Sequence, residues 1–154
     1  MKKLVLFVSI AVLTICAFTS FTLANQNKNH DKEHGGQPLT ATLSGAAEVP
    51  GPGDTDGTGT ANVTLNHGQG QVCYDITVSN IEKPTAAHIH VGAAGAEGGV
   101  KVPLKAAADG SWKGCTTVDK AVVKEIMDNP SNYYVNVHTA DFPKGAIRGQ
   151  LSKK

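Results

Sequence analysis

From residue 39 onward, apolar side chains recur mostly at every second position, in short runs broken by Gly, Pro, Asn and Asp. Over residues 71–80, Val72, Tyr74, Ile76 and Val78 alternate with Cys73, Asp75, Thr77 and Ser79. A period of two with one apolar face predicts a half-buried β-strand. Runs of similar texture predict strands over 40–45, 58–65, 86–91, 100–104, 111–118, 133–139 and 146–151. Residues 58–65 and 71–80 flank Asn66-His67-Gly68-Gln69-Gly70, a set of turn formers, and so predict a hairpin. Residues 49–57 and 92–99 are rich in Gly and Pro or Gly and Ala and read as loops. Only residues 119–129 change period. There Val122, Val123, Ile126 and Met127 form one stripe, Asp119 can cap the start and Asn129-Pro130 stops the run, which predicts a helix. Many short strands with one short helix predict an all-β fold, a Greek-key β-sandwich or a partly closed barrel.

The first residues follow a different rule. Lys2 and Lys3 precede an apolar run over 4–21, and Thr22-Leu23-Ala24 offers small residues for cleavage. Residues 1–24 therefore read as a secretory signal peptide, and residues 25–38 as a flexible polar tail. The expected product is exported, periplasmic or extracellular, with no membrane attachment after cleavage. Cys16 follows Ile15 rather than a small residue, which argues against lipidation. Cys16 leaves with the leader, and Cys73 and Cys115 remain; two cysteines in an exported chain predict one disulfide. Both lie on the polar sides of their strands, so the bond is expected near the surface. A loop of about 42 residues closed in this way contributes on the order of 4 kcal/mol. That matters for a chain of 154 residues with one Trp, three Tyr and four Phe. The formal charge of +1 with no basic block excludes a typical nucleic-acid binder.

The candidate chemistry lies in the histidines. In Ala87-His88-Ile89-His90-Val91 the alternation puts His88 and His90 on the face opposite the apolar set, about 7 Å apart along the strand. In the later strand Val135 and Val137 alternate with Tyr134, Asn136 and His138. If the two strands are neighbours, three imidazoles converge on the outer face of the sheet. Imidazole is a borderline-soft donor suited to copper, zinc, nickel and iron. The expected metal ligands are therefore His88, His90 and His138, with copper as the first candidate ion and zinc as the second. Arg148, with Gln150 on the same face of the last strand, would place a cation near them and attract anions, and Asn136 would sit among them. The competing reading makes these side chains structural, tied to loops by hydrogen bonds.

The remaining polar residues carry less. His30 and His34 fall in the polar tail and His67 in a hairpin turn. Asp54 and Asp56 lack the rest of a calcium loop and read as turn residues. Glu97 lies too far from His90 for a cupin ligand set. Trp112 is expected in the core, and Tyr133 and Tyr134 on opposite sides of their strand, one of them in the core. No serine-nucleophile elbow or phosphate-binding loop is present.

Several runs in order resemble the CHRD (chordin) domain. They are residues 39–45, Glu48-Val49-Pro50, Ala87-His88-Ile89-His90-Val91-Gly92, Asn129-Pro130 with 133–139, and 142–151. The resemblance spans about residues 39–152 and is to the exported, single-domain bacterial members. It implies an extracellular β-sandwich, immunoglobulin-like or superoxide-dismutase-like, and little about chemistry. A weaker likeness is to copper/zinc superoxide dismutases. There His88 and His90 match the first copper pair, His138 the later copper ligand and Arg148 the anion-guiding arginine. The histidine that bridges the two metals and the zinc-ligand cluster have no counterpart, so the likeness reaches a three-histidine copper site and no further. Three functions follow as expectations: an exported metal-binding module, a non-catalytic structural or interaction domain with an unknown protein or surface partner, and, last, a copper-dependent redox enzyme.

Overall fold

The computed structural model describes residues 36–154. The expected leader and nearly all of the expected tail, with His30 and His34, lie outside the described residues. The strands are β1 (Gln37–Ser44), β2 (Thr58–Asn66), β3 (Gln71–Ser79), β4 (Ala86–Val91), β5 (Val100–Leu104), β6 (Trp112–Thr117), β7 (Tyr133–His138), β8 (Ile147–Gln150) and β9 (Ser152–Lys153). One α-helix, α1 (Lys120–Asp128), lies among the described residues, with two 3-10 turns, Gly45–Ala47 and Pro130–Asn132. The fold is all-β and sandwich-like, with one short helix, as the period-two pattern predicts. Two boundaries differ. β1 starts at Gln37, which pairs with Leu65, so the first strand takes in the last two residues read as tail. The closing run is split into β8 and β9 around Leu151, whose side chain turns into the core.

The sheet runs in the order β5-β4-β7-β8-β1-β2-β3-β6, with β9 added beside β1. Its halves meet at β8 and β1, which share the single pair Ser44 and Arg148. At the far ends the Tyr74 hydroxyl, on β3, donates to the Lys105 carbonyl and accepts from the Lys105 amide, both at 2.9 Å. This nearly closes the sheet on itself. Inside lie the alternate residues of both halves, among them Leu39, Leu43, Val63, Val72, Ile89, Val135 and Ile147, each at most 1% exposed. Each such side chain contributes roughly 1.5–3 kcal/mol through burial. Helix α1 buries Val123 and Ile126 against the same core. The Asp119 carboxylate accepts from the Ala121 amide at 2.8 Å, the expected cap.

The β2–β3 hairpin forms at the expected turn, with His67 exposed in it. Cys73 and Cys115 stand directly opposite each other on β3 and β6 and are disulfide-bonded. Cys73 is half-buried and Cys115 exposed, on the polar sides of their strands. Trp112 is half-buried and packs against the core.

Strand β7 positions the candidate site. It lies between β4 and β8, and all six of its residues are buried. A strand with one wet face would not show this. Its second face is covered by loops 92–99 and 139–146.

Candidate metal centre

The antiparallel registers set the site directly. His88 on β4 faces Asn136 on β7, and Asn136 faces Arg148 on β8. In the next row His90 faces Tyr134, and Tyr134 faces Gln150. His138 faces Ala86 at the end of the same strand pair. Residues directly opposite across strands share a face. The other face carries Ala87, Ile89, Val135, Val137 and Ile147 into the core. The alternation around His-x-His thus puts His88, His90 and His138 on one surface. The β4–β5 register slips between Ile89 and His90, so β5 carries a bulge beside the site.

The three imidazoles come together: one ring nitrogen from each lies within 4.8 Å of those of the other two. The expected open outer face is the point the structure corrects. His138 is only 9% exposed, and His88 and His90 are half-buried. The reason is hydrogen bonding from the covering loops. His90 Nδ1 lies 2.9 Å from the Gly98 carbonyl oxygen, and His138 Nδ1 lies 3.2 Å from that of Pro143. A carbonyl only accepts, so both Nδ1 atoms carry the proton and both Nε2 atoms carry the lone pair. His88 Nδ1 lies 3.0 Å from His138 Nε2. Burial lowers the pKa of His88, with the nearby His138 and His90 adding to the effect. Burial likewise lowers that of His138, against an opposing contribution from the Pro143 carbonyl. Neutral imidazoles held through Nδ1 by backbone carbonyls are the form that ligates a metal ion.

Beyond the histidines the polar face continues. The His90 ring stacks on Tyr134 at 5.0 Å between centroids and 8° between planes. The Arg148 guanidinium carbon lies 3.7 Å from the centroid of the same Tyr134 ring, a cation–π contact. Arg148 Nη2 donates to the Ala96 carbonyl at 3.0 Å. Arg148, expected near the imidazoles, is therefore set against Tyr134 and the 92–99 loop, and is 2% exposed. Asn136 lies between His88 and Arg148 in the register, and its Nδ2 donates to Glu48 Oε2 at 3.5 Å. Gln150 Nε2 donates to the Gly92 and Ser131 carbonyls at 2.6 and 2.7 Å.

Tyr133 and Tyr134 do point to opposite sides. Tyr133 joins the core, with its hydroxyl 3.2 Å from Glu125 Oε2, and Tyr134 lines the site. Glu48 was not expected here. It is 6% exposed, and burial raises its carboxyl pKa to about 7 in spite of the Arg148 charge. Its sequence signal is slight, a lone acid between two alanines and Val49-Pro50. Among the described residues, four buried side-chain atoms lack a hydrogen-bond partner: His90 Nε2, Asn136 Oδ1, Arg148 Nη1 and Glu48 Oε1. All four belong to this one polar layer. Buried polar atoms are normally satisfied, so each of these four calls for a partner such as a water molecule or an ion.

Among known families, the model of the CHRD domain matches residues 39–151. No curated protein and no solved structure matches the chain.

Proposed function

Because the chain belongs to the CHRD domain family, a premise that supplies a fold and little chemistry, we propose from the site itself that it is an exported module holding one metal ion. Copper is the first candidate and zinc the second, with His88, His90 and His138 as ligands. The observation that carries this reading is the pair of fixed tautomers. His90 and His138 are each bound through Nδ1 to a carbonyl, which leaves Nε2 of each as the lone-pair atom; His90 Nε2 is buried without a partner, and His138 Nε2 faces only the neighbouring imidazole of His88. Three neutral imidazoles favour copper over zinc by the usual order of divalent affinities. Export is supported by the leader-like first residues and by the Cys73–Cys115 bond, which persists in oxidising compartments.

The test is a titration of the metal-depleted protein with copper and with zinc. A single equivalent is expected to bind. His88→Ala, His90→Ala and His138→Ala should each weaken binding by more than about 100-fold, and His67→Ala should leave it unchanged. Equal, weak effects at all four positions would overturn the reading.

A second reading, a non-catalytic interaction domain without metal, is favoured by the direct 3.0 Å contact of His88 with His138, which gives His138 Nε2 a partner without an ion. The melting temperature in a strong chelator separates the two. A bound ion that leaves should lower it, as loss of any native-state ligand does. An unchanged value in protein taken from its own export compartment supports the second reading.

A further inference from the structure

We propose that the imidazole cluster selects monovalent copper, discriminating against divalent ions by their charge. The inference rests on the three-histidine reading above and names the ion that site is built for. Its donor set carries no negative charge. Among the described residues, no carboxylate or cysteine joins His88, His90 and His138. Cys73 and Cys115 are closed in their disulfide on the other half of the sheet. Glu97 and Asp141, the acids of the two covering loops, are exposed. Glu48, the one buried acid among the described residues, is turned to Asn136 rather than to a ring, and burial raises its pKa to about 7. A buried cation stands behind the cluster instead. Arg148 is 2% exposed, and its guanidinium carbon lies 3.7 Å from the centroid of the Tyr134 ring, which stacks on His90.

The cost of taking an ion out of water grows with the square of its charge. It is about four times larger for a divalent ion than for a monovalent one of equal size. Buried charge is normally offset by an opposite charge among its ligands. Here the three rings are neutral, His138 is only 9% exposed, and Arg148 repels a doubled charge twice as strongly. The donor count points the same way. Zinc takes a tetrahedral set of four ligands and divalent copper a square or tetragonal one. With three imidazoles, either would have to keep water in a site that the loops partly cover. Monovalent copper has a filled d shell and is complete with three neutral nitrogens. His88 and His90 are half-buried, which leaves an edge of the cluster at the surface for an ion to enter.

The experiment is competition of the metal-depleted chain against a chromophoric chelator, with three probes: monovalent copper without oxygen, divalent copper, and zinc. Thiol reductants are left out, so that the Cys73–Cys115 bond stays closed and offers no sulfur donors. Monovalent copper is expected to bind at least about 100-fold more tightly than either divalent ion. Removing Arg148 from the interior would endanger the fold, so charge is varied at Ala86. This residue is half-buried and directly faces His138, on the side of the strand that carries His88 and His90. Ala86→Asp adds a carboxylate beside the cluster and should narrow the preference by about tenfold, through a gain in divalent affinity. A smaller preference in the wild type, with binding still lost in His88→Ala, would overturn the monovalent assignment and leave the metal reading standing. An unchanged preference in Ala86→Asp would overturn selection by charge. Binding of none of the three probes would overturn the metal reading, and this inference with it.

Discussion

His88 Nδ1 stands 3.0 Å from His138 Nε2, and the other nitrogen of His138 faces the Pro143 carbonyl at 3.2 Å. The carbonyl fixes the proton of His138 on Nδ1, so Nε2 accepts and His88 must donate from Nδ1. In the metal-free protein, His88, His90 and His138 are therefore all expected as Nδ1–H tautomers. Long-range proton–nitrogen spectra of the imidazoles read this directly. An Nε2–H resonance assigned to His138 or His90 in the metal-depleted protein would contradict the geometry.

The pH response of this cluster follows from the same burial. The pKa values of His88 and His138 are lowered in the folded chain, chiefly by desolvation. Each ring is thus easier to protonate in the unfolded chain. Their stabilising contribution is complete above about pH 6.5, the unfolded value, and is lost as pH falls through the lower folded values. Denaturant unfolding of metal-depleted protein across this range should show a loss of stability on acidification that His138→Gln reduces. Metal affinity should fall over the same range, since the ligating form is neutral. Identical pH profiles for wild type and His138→Gln would refute the assignment.

Much of this centre was legible in the chain, and the rest was hidden for a physical reason. Strict alternation around His88, His90 and His138 is a local property, and it placed them on the face away from Ile89 and Val137 before any neighbour was known. The pairing of β4 with β7 brings together residues about 50 apart, and no local period encodes it. The covering loops are less visible still. That the Gly98 and Pro143 carbonyls dock on the imidazoles depends on loop backbone, which carries no side-chain signal. The face expected to lie on the outside is therefore partly covered, with His138 buried and His88 and His90 half-buried. Glu48 follows a 3-10 turn, where no periodicity exists, and meets Asn136 across 88 residues.

Gly98 offers a test of the loop's role. A Cβ built there would lie 1.6 Å from the Val91 carbonyl oxygen, a clash with backbone that no rotamer relieves. The same residue accepts from His90 Nδ1 and donates its amide to the Tyr134 hydroxyl at 3.3 Å. Gly98→Ala should push the loop off the site, free the His90 ring and weaken metal binding by about 10–100-fold, the range for lost ligand-orienting contacts. Gly99→Ala, with nothing within 4 Å of its Cβ, should leave affinity unchanged. Equal behaviour of the two variants in copper titration would show that the loop does not orient His90.

The disulfide should act on stability alone. It links β3 and β6, neither of which supplies a residue to the polar face, and it spans 42 residues of sequence. Replacing Cys73 and Cys115 together by serine is expected to cost about 4 kcal/mol in denaturant unfolding, from the added freedom of the unfolded chain. Metal affinity of the folded variant should be that of the wild type. A large loss of affinity at unchanged fold would mean that the bond positions the site.

Glu48 gives the opposite pH dependence from the histidines. Its carboxyl pKa is raised from 4.5 to about 7, first by burial, with Arg148 opposing. The folded chain therefore holds this proton more tightly than the unfolded one. The contribution of Glu48 is fully present below about pH 4.5 and is lost as pH rises through about 7. Glu48→Gln keeps the shape of the protonated acid and removes the titration. It should match the wild type near pH 4 and exceed it at pH 8 and above, by roughly 3 kcal/mol for a shift of this size. Urea unfolding of both proteins at the two pH values measures the difference. Should the variant be less stable than the wild type at pH 8, the ionised carboxylate would be a net stabilising partner of Arg148 rather than an acid held neutral by burial.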